Sequence, residues 1–144
     1  MNTTLYEQDF YAWANQQAAL LRAGRLTDAD IANIAEEIES MGRSEKRELV
    51  NRLAVLLLHL LKWEFQPGLR GNSWRLSIEE QRYRLELHMA DNPSLNATLD
   101  AAMLDAYRLA QIEAERETGL ARRIFPSVCP YDYDQATRAD FWPE

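Results

Sequence analysis

The stretch from Leu49 to Trp63 is the most apolar part of the chain and restricts the folds open to it. It reads LVNRLAVLLLHLLKW, in which aliphatic residues surround a single histidine, His59. A leucine-rich segment with charged residues at both ends is typical of a helix that is buried on most sides. It is too short and too interrupted to span a bilayer. The sequence therefore predicts the central helix of an all-helical domain.

Length and composition are those of one globular domain. The chain has 144 residues, of which 47% are hydrophobic and 27% charged, so a sizeable core is available without disulfides or metals. The single cysteine, Cys129, cannot form an internal disulfide and suits a reducing compartment. The first ten residues, MNTTLYEQDF, lack the basic start and apolar run of a secretory leader. We predict one domain over residues 1–144, located in the cytoplasm and without a membrane segment.

The charge balance argues against nucleic acid as a partner. The net charge is −7, whereas phosphate binding requires clustered cations. The segment from Arg43 to Arg84 is nevertheless basic, with nine Lys or Arg against five Glu. We interpret this segment as pairing with the acidic ends of the chain. The alternative is a nucleic-acid-associated accessory protein, which would use the cations of that segment: Arg43, Lys46, Arg47, Arg70, Arg75 and Arg82.

Apolar spacing and capping residues predict the helices. The first would run from about Glu7 to Gly24. A second would follow the N-cap Thr27, with Ile31, Ile34, Ala35, Ile38 and Met41 on one face, and would break or kink at Gly42 before Ser44 caps the next. The remaining predicted boundaries are Glu45 to Phe65 for the central helix, Trp74 to Asp91 after a Ser73 cap, and a fifth helix ending at Thr118 before Gly119.

The segment after Gly119 has a different texture. Proline punctuates it, and it carries Tyr131, Tyr133, Phe141 and Trp142, with room for one helical turn from Tyr133 to Arg138. Aromatic side chains bury large areas, so we expect this tail to lie on its own domain. The fold class predicted is all-α: a single-domain bundle of four to five helices with an irregular, aromatic-rich C-terminal tail.

One side of the central helix is polar and is the first candidate site. Steps of three and four residues place Glu48, Arg52, His59 and Lys62 together. With Glu37 and Glu39 of the preceding segment they form a candidate polar seam. His59 would then be a general base or a metal ligand, but a hydrogen-bonded structural histidine is the favoured interpretation, because a metal site needs three or four ligands.

The acidic run Glu36-Glu37-x-Glu39 is the second candidate. Facing His59 across a helix pair, it could form a metal-binding or hydrolytic bundle, although the Glu-x-x-His spacing of di-iron bundles is missing. The favoured interpretation is that these carboxylates pair with Arg43, Arg47 or Arg52. We therefore predict no metal and no cofactor.

A loop cluster after the central helix is the third candidate. It comprises Arg70, Ser73, Trp74, Arg75 and Arg82 and could bind an anionic ligand at a helix start. Tryptophan rings packed under the loop with arginines stacked on them are the favoured alternative.

Many short blocks occur in an order that resembles a known family. They are Tyr11-Ala12-Trp13, Leu21-Arg22, Ala35-Glu36-Glu37-Ile38-Glu39, Gly42-Arg43-Ser44, His59-Leu60-Leu61-Lys62-Trp63, Gln66-Pro67, Ser73-Trp74, Pro93-Ser94-Leu95, Glu117-Thr118-Gly119-Leu120, Phe125-Pro126 and Cys129-Pro130-Tyr131. Together they resemble the bacterial domain-of-unknown-function family numbered twenty-nine over nearly the whole chain. The resemblance implies a single-domain, all-helical bacterial protein and transfers no catalytic residues.

Two histidines and one cysteine do not suffice to assemble a catalytic nucleophile with its base. The sequence also has no glycine-rich phosphate-binding loop. We therefore predict a small cytoplasmic, non-catalytic interaction or scaffold protein. Its partner would be another protein or a second copy of itself.

Overall fold

The computed structural model describes residues 4–144, and the all-α prediction is confirmed over that range. Six α-helices occur there, four of them long, with no β-strand in the described part of the chain. Short 3₁₀ turns lie between most of them. The helices are α1 (Leu5–Gln8), α2 (Phe10–Arg22), α3 (Ile31–Phe65), α4 (Asn72–Asp91), α5 (Leu99–Thr118) and α6 (Tyr133–Thr137).

The chain forms two compact units, Met1–Ser44 and Glu45–Glu144, called here the N-terminal and C-terminal units. The prediction of a single domain over residues 1–144 stays a prediction. The first three residues, part of the stretch on which the absence of a leader was predicted, lie outside the described residues.

The predicted first helix is divided into α1 and α2 at Asp9. Its carboxylate accepts a hydrogen bond from the Ala12 N–H at 3.0 Å and so caps the start of α2. The helix ends at a left-handed glycine, Gly24, with φ 72°. Trp13 and Gln17 are its buried side chains. Capping at Asp9 explains why one apolar stripe is carried by two helices.

The predicted break at Gly42 is wrong, because α3 is continuous from Ile31 to Phe65. Glycine inside a helix costs only about 1 kcal/mol relative to alanine, which a long helix tolerates. No neighbouring atom would lie within 4 Å of a Cβ at Gly42, so close packing does not explain the glycine either.

Two predicted caps are also wrong. Thr27 lies within the 3₁₀ turn Leu26–Asp28, and Asp30 instead accepts the Asn33 N–H at the start of α3. The residue at the N-cap of α4 is Gly71, two residues before the predicted Ser73 cap. In both cases several polar residues compete within one short loop, and loop geometry selects among them.

The C-terminal unit contains the main core. The second half of α3 supplies most of it, and α4, α5 and the tail cover its leucines. The tail holds two buried aromatic rings, Phe125 and Tyr131, as expected for an aromatic segment lying on its own unit. The fully buried large side chains are Leu49, Leu53, Leu56, Leu57, Leu60, Leu61, Ile78 and Leu85.

Candidate functional site

The acidic run lies in the N-terminal unit and His59 in the C-terminal unit. Glu36, Glu39 and His59 belong to one continuous helix, not to a helix pair. The predicted site shared by Glu36, Glu37 or Glu39 with His59 stays a prediction.

Each carboxylate of the acidic run has a local partner. Glu37 accepts a hydrogen bond from the Tyr6 hydroxyl, which raises the pKa of Tyr6. Arg43 lies 2.9 Å from a Glu36 oxygen and 3.9 Å from a Glu39 oxygen. These are exposed pairs on one helix, which contribute little to stability.

The carboxylates that do lie near a histidine are Glu45 and Glu48, and the histidine is His88. An oxygen of Glu48 lies 3.4 Å from His88 Nδ1 and an oxygen of Glu45 lies 3.6 Å from it. His88 Nε2 donates a hydrogen bond to the Glu45 carbonyl oxygen at 2.9 Å. Residues three apart on α3 therefore face one imidazole on α4.

Arg52 orients the Glu48 carboxylate. Its Nε and one terminal nitrogen donate to the same Glu48 oxygen at 3.0 and 2.6 Å. These hydrogen bonds are the main reason that the pKa of Glu48 is lowered, with His88 and Arg84 adding to the effect and burial opposing it. The other Glu48 oxygen faces His88. Because its pKa is lowered, the Glu48 carboxylate is ionised at neutral pH.

His59 is satisfied by its own helix. Its Nδ1 donates to the Val55 carbonyl oxygen at 2.8 Å, an i to i−4 contact. Burial lowers the pKa of His59, and the positive charge of Lys62 lowers it further, against opposing effects of Val55 and Glu117. The imidazole is therefore neutral at pH 7, with Nε2 left to accept a hydrogen bond.

Lys62 is a buried cation with a defined partner. It is 8% exposed, its Nζ lies 3.2 Å from a Glu117 oxygen, and the Trp74 ring centroid is 5.4 Å away. An ammonium paired with a carboxylate and stacked on indole is stable in this environment. The contact joins α3, α4 and α5.

The loop cluster holds the C-terminal tail. Arg82 donates to the carbonyl oxygens of Ala136, Ala139 and Phe141 at 2.8, 3.4 and 2.7 Å. Arg70 donates to the carbonyl oxygens of Trp63 and Pro143. Two of the predicted anion ligands thus bind backbone carbonyls.

The other three residues of the loop cluster lie nearby on α4. Arg75 pairs with Glu79 at 2.9 Å, Ser73 is exposed, and Trp74 carries the Lys62 contact. The five predicted residues therefore lie on α4 or just before it, and all but Ser73 contact protein groups.

Sequence reasoning missed Glu45, His88 and Glu117. Glu45 and Glu48 are three apart, which is a visible signal for carboxylates on one helix face. Nothing local marks His88 or Glu117, because α4 and α5 bring them to α3 only in the folded chain. The periodic face of α4 already pointed inward at Leu85 and Met89, and His88 lies beside that face.

The N-terminal unit has an exposed apolar stripe on α3, defined here as Ile31, Ala35, Ile38 and Met41. Three of its side chains are more than half exposed: Ile31 at 52%, Ile38 at 58% and Met41 at 62%. In this unit, the Trp13 indole of α2 donates a hydrogen bond at 3.1 Å to Asp30, the residue that precedes α3. The stripe is largely solvent-exposed apolar surface within the described part of this unit.

The comparisons with known proteins identify a family. The family model described as "Domain of unknown function DUF29" matches residues 5–142, so the chain belongs to this family. No curated protein and no solved structure matched the chain. Among the described residues, no helix is long and apolar enough to cross a membrane.

Proposed function

We propose that this protein is a non-catalytic interaction protein that acts as a homodimer, joined through the α3 stripe. The observation that carries the proposal is the exposure of Ile31, Ile38 and Met41, which occupy heptad-like positions. Contiguous apolar surface of this kind on a helix usually marks a protein contact.

The small core of the N-terminal unit supports the same proposal. Its buried side chains among the described residues are Trp13 and Gln17. Units of about 40 residues usually need a metal, disulfides or oligomerisation to be stable. The same unit of a second copy, packed on the stripe, would bury its apolar side chains.

The order of charges along α3 favours a second copy in antiparallel orientation. Glu36, Glu37 and Glu39 come first and Arg43 follows one turn later. Antiparallel stripes place the acidic turn of one copy beside Arg43 of the other, whereas parallel stripes place glutamates beside glutamates. Ile38 and Met41 then lie near the two-fold axis.

The test is sedimentation equilibrium of the full chain from about 1 to 100 μM, a range that covers ordinary homodimer affinities. The wild type should be dimeric within this range and Ile38→Glu monomeric. Leu104→Glu is the matched control, since Leu104 is an exposed leucine of the C-terminal unit and its variant should dimerise like the wild type. Far-UV circular dichroism establishes that each variant is folded.

A monomeric wild type at 100 μM, or an Ile38→Glu variant that still dimerises, would exclude the stripe as the dimer contact. Titration with a short DNA duplex at low salt is a further check. No binding is expected at micromolar protein, because the net charge is −7.

We also propose a cytoplasmic location. Its support is Cys129, a free and half-buried thiol whose pKa is raised by burial. A protein kept in a reducing compartment can retain such a thiol without oxidation. Cell fractionation with a cytosolic marker tests the location.

A further inference from the structure

Glu45, Glu48 and His88 form a cluster that the proposed dimer does not use. Their ligand atoms, one oxygen from each carboxylate and one ring nitrogen, all lie within 4.8 Å of one another. In a tetrahedral site with metal–ligand distances near 2.1 Å, neighbouring ligand atoms are about 3.4 Å apart. The observed Nδ1 to oxygen separations of 3.4 and 3.6 Å match that spacing.

His88 presents a nitrogen without a hydrogen bond to this cluster. The residue is 7% exposed, and its Nε2–H donates a hydrogen bond to the Glu45 carbonyl oxygen. That contact leaves Nδ1 to face the carboxylates, at distances longer than the 2.7–3.2 Å of a normal N–H···O hydrogen bond. A histidine that ligates a metal usually donates its other ring N–H to a carbonyl or carboxylate in this way.

We propose that Glu45, Glu48 and His88 bind one divalent transition-metal ion, with Zn²⁺ as the best match. Imidazole selects zinc and its neighbours over magnesium or calcium, which prefer oxygen ligands. The two carboxylates balance the charge of the ion. Both glutamates are partly exposed, at 47% and 40% of their side chains, so water can complete the coordination.

Arg52 acts as the outer support of the site. Its two hydrogen bonds hold one Glu48 oxygen and direct the other toward His88. Hydrogen-bonded carboxylates of this type are pre-oriented, which reduces the entropy lost on metal binding. The bound ion would join α3 to α4, a structural role that is compatible with a non-catalytic protein.

Isothermal titration of the metal-free full chain with Zn²⁺ tests the proposal, with Mg²⁺ as the contrasting ion. We expect one Zn²⁺ per chain with micromolar affinity, no Mg²⁺ binding, and a rise in melting temperature of about 5 °C at saturating Zn²⁺. Co²⁺ should give the visible absorption of a nitrogen and oxygen ligand set.

The two histidines of the chain provide matched variants. His88→Gln should weaken Zn²⁺ binding at least tenfold. Glu48→Gln, which keeps His88, should also weaken Zn²⁺ binding at least tenfold. His59→Gln should bind as the wild type does, because His59 contacts the Val55 carbonyl instead of a carboxylate. Zinc binding unchanged in both His88→Gln and Glu48→Gln, or absent in the wild type at about 100 μM Zn²⁺, would overturn the site.

This test is independent of the dimer. Ile38→Glu should bind Zn²⁺ like the wild type, and His88→Gln should sediment like the wild type. Failure of one proposal therefore leaves the other standing.

Discussion

The two halves of α3 carry similar apolar patterns but bury them to very different extents. In the N-terminal unit, Ile31, Ile38 and Met41 are more than half exposed. In the C-terminal unit, Leu53, Leu57 and Leu60 are completely buried. Periodicity specifies which side of a helix is apolar, whereas burial depends on whether another element covers that side. This difference in burial is the observation on which the proposed dimer contact rests.

The largest expected effect contrasts these two halves directly. Leu57→Ala should lower the free energy of unfolding by about 4 kcal/mol, because a fully buried leucine leaves a cavity. Ile38→Ala should change it by less than about 0.5 kcal/mol in the monomer, since an exposed side chain loses little burial. Urea unfolding measures both free energies, at a protein concentration low enough to keep the chain monomeric. Equal losses of stability in the two variants would contradict the difference in packing.

Arg82→Leu should cost about 3 kcal/mol, the second largest effect. The change removes the donor to three tail carbonyls and leaves those oxygens unpaired in a partly buried setting. Tryptophan fluorescence should also change, because Arg82 lies 5.2 Å from the Trp142 ring centroid. The control is Arg75→Leu, whose exposed pair with Glu79 should contribute about 0.5 kcal/mol or less.

Trp13→Phe addresses the N-terminal unit. It removes the indole donor to Asp30 and part of a buried ring, at an expected cost of about 1–2 kcal/mol. Hydrogen exchange of the amides in α2 should become faster, while that of Leu53 to Leu61 should not change. Uniform acceleration along the chain would show that the two units unfold together.

A smaller effect than that of Trp13→Phe, about 1 kcal/mol at neutral pH, is expected for Tyr107→Phe. The hydroxyl donates to the Pro126 carbonyl at 2.5 Å, and Gln111 still donates to that oxygen in the variant. Circular dichroism during urea unfolding measures the loss.

The same variant tests why the folded state loses stability at alkaline pH. Burial raises the pKa of Tyr107 to about 12, with smaller contributions from Cys129 and Glu64. Because the folded pKa lies above the unfolded value near 10, the stabilisation is complete below pH 10 and is lost as the pH rises toward 12. Tyr107→Phe should reduce the loss of stability between pH 10 and 12, and an unchanged slope would assign that loss to other groups.

Local patterns predicted the helical elements better than their ends. The stop at Gln66-Pro67 and the left-handed Gly119 with φ 74° were both readable, because proline and glycine act through their own backbone. The continuity of α3 through Gly42 was not, since a small propensity penalty gives way to the cooperativity of a long helix. The caps at Asp9 and Asp30 depended on which of several nearby oxygens reached a free N–H.

The candidate sites show the same limit. Glu48 and Arg52 could be paired from their spacing of four residues, and the structure has them in contact. The partners of His88 and Lys62 come from other helices and could not be predicted.

The sequence by itself determined that this chain is helical, that the core forms around Leu49 to Trp63, and that it belongs to its family. Those properties follow from the types of residues and their spacing along the sequence. Only the tertiary structure decided that the apolar stripe of Ile31 to Met41 stays uncovered within its unit, and that His88 rather than His59 meets two carboxylates. Such contacts join residues distant in sequence, and their distances depend on how helices pack.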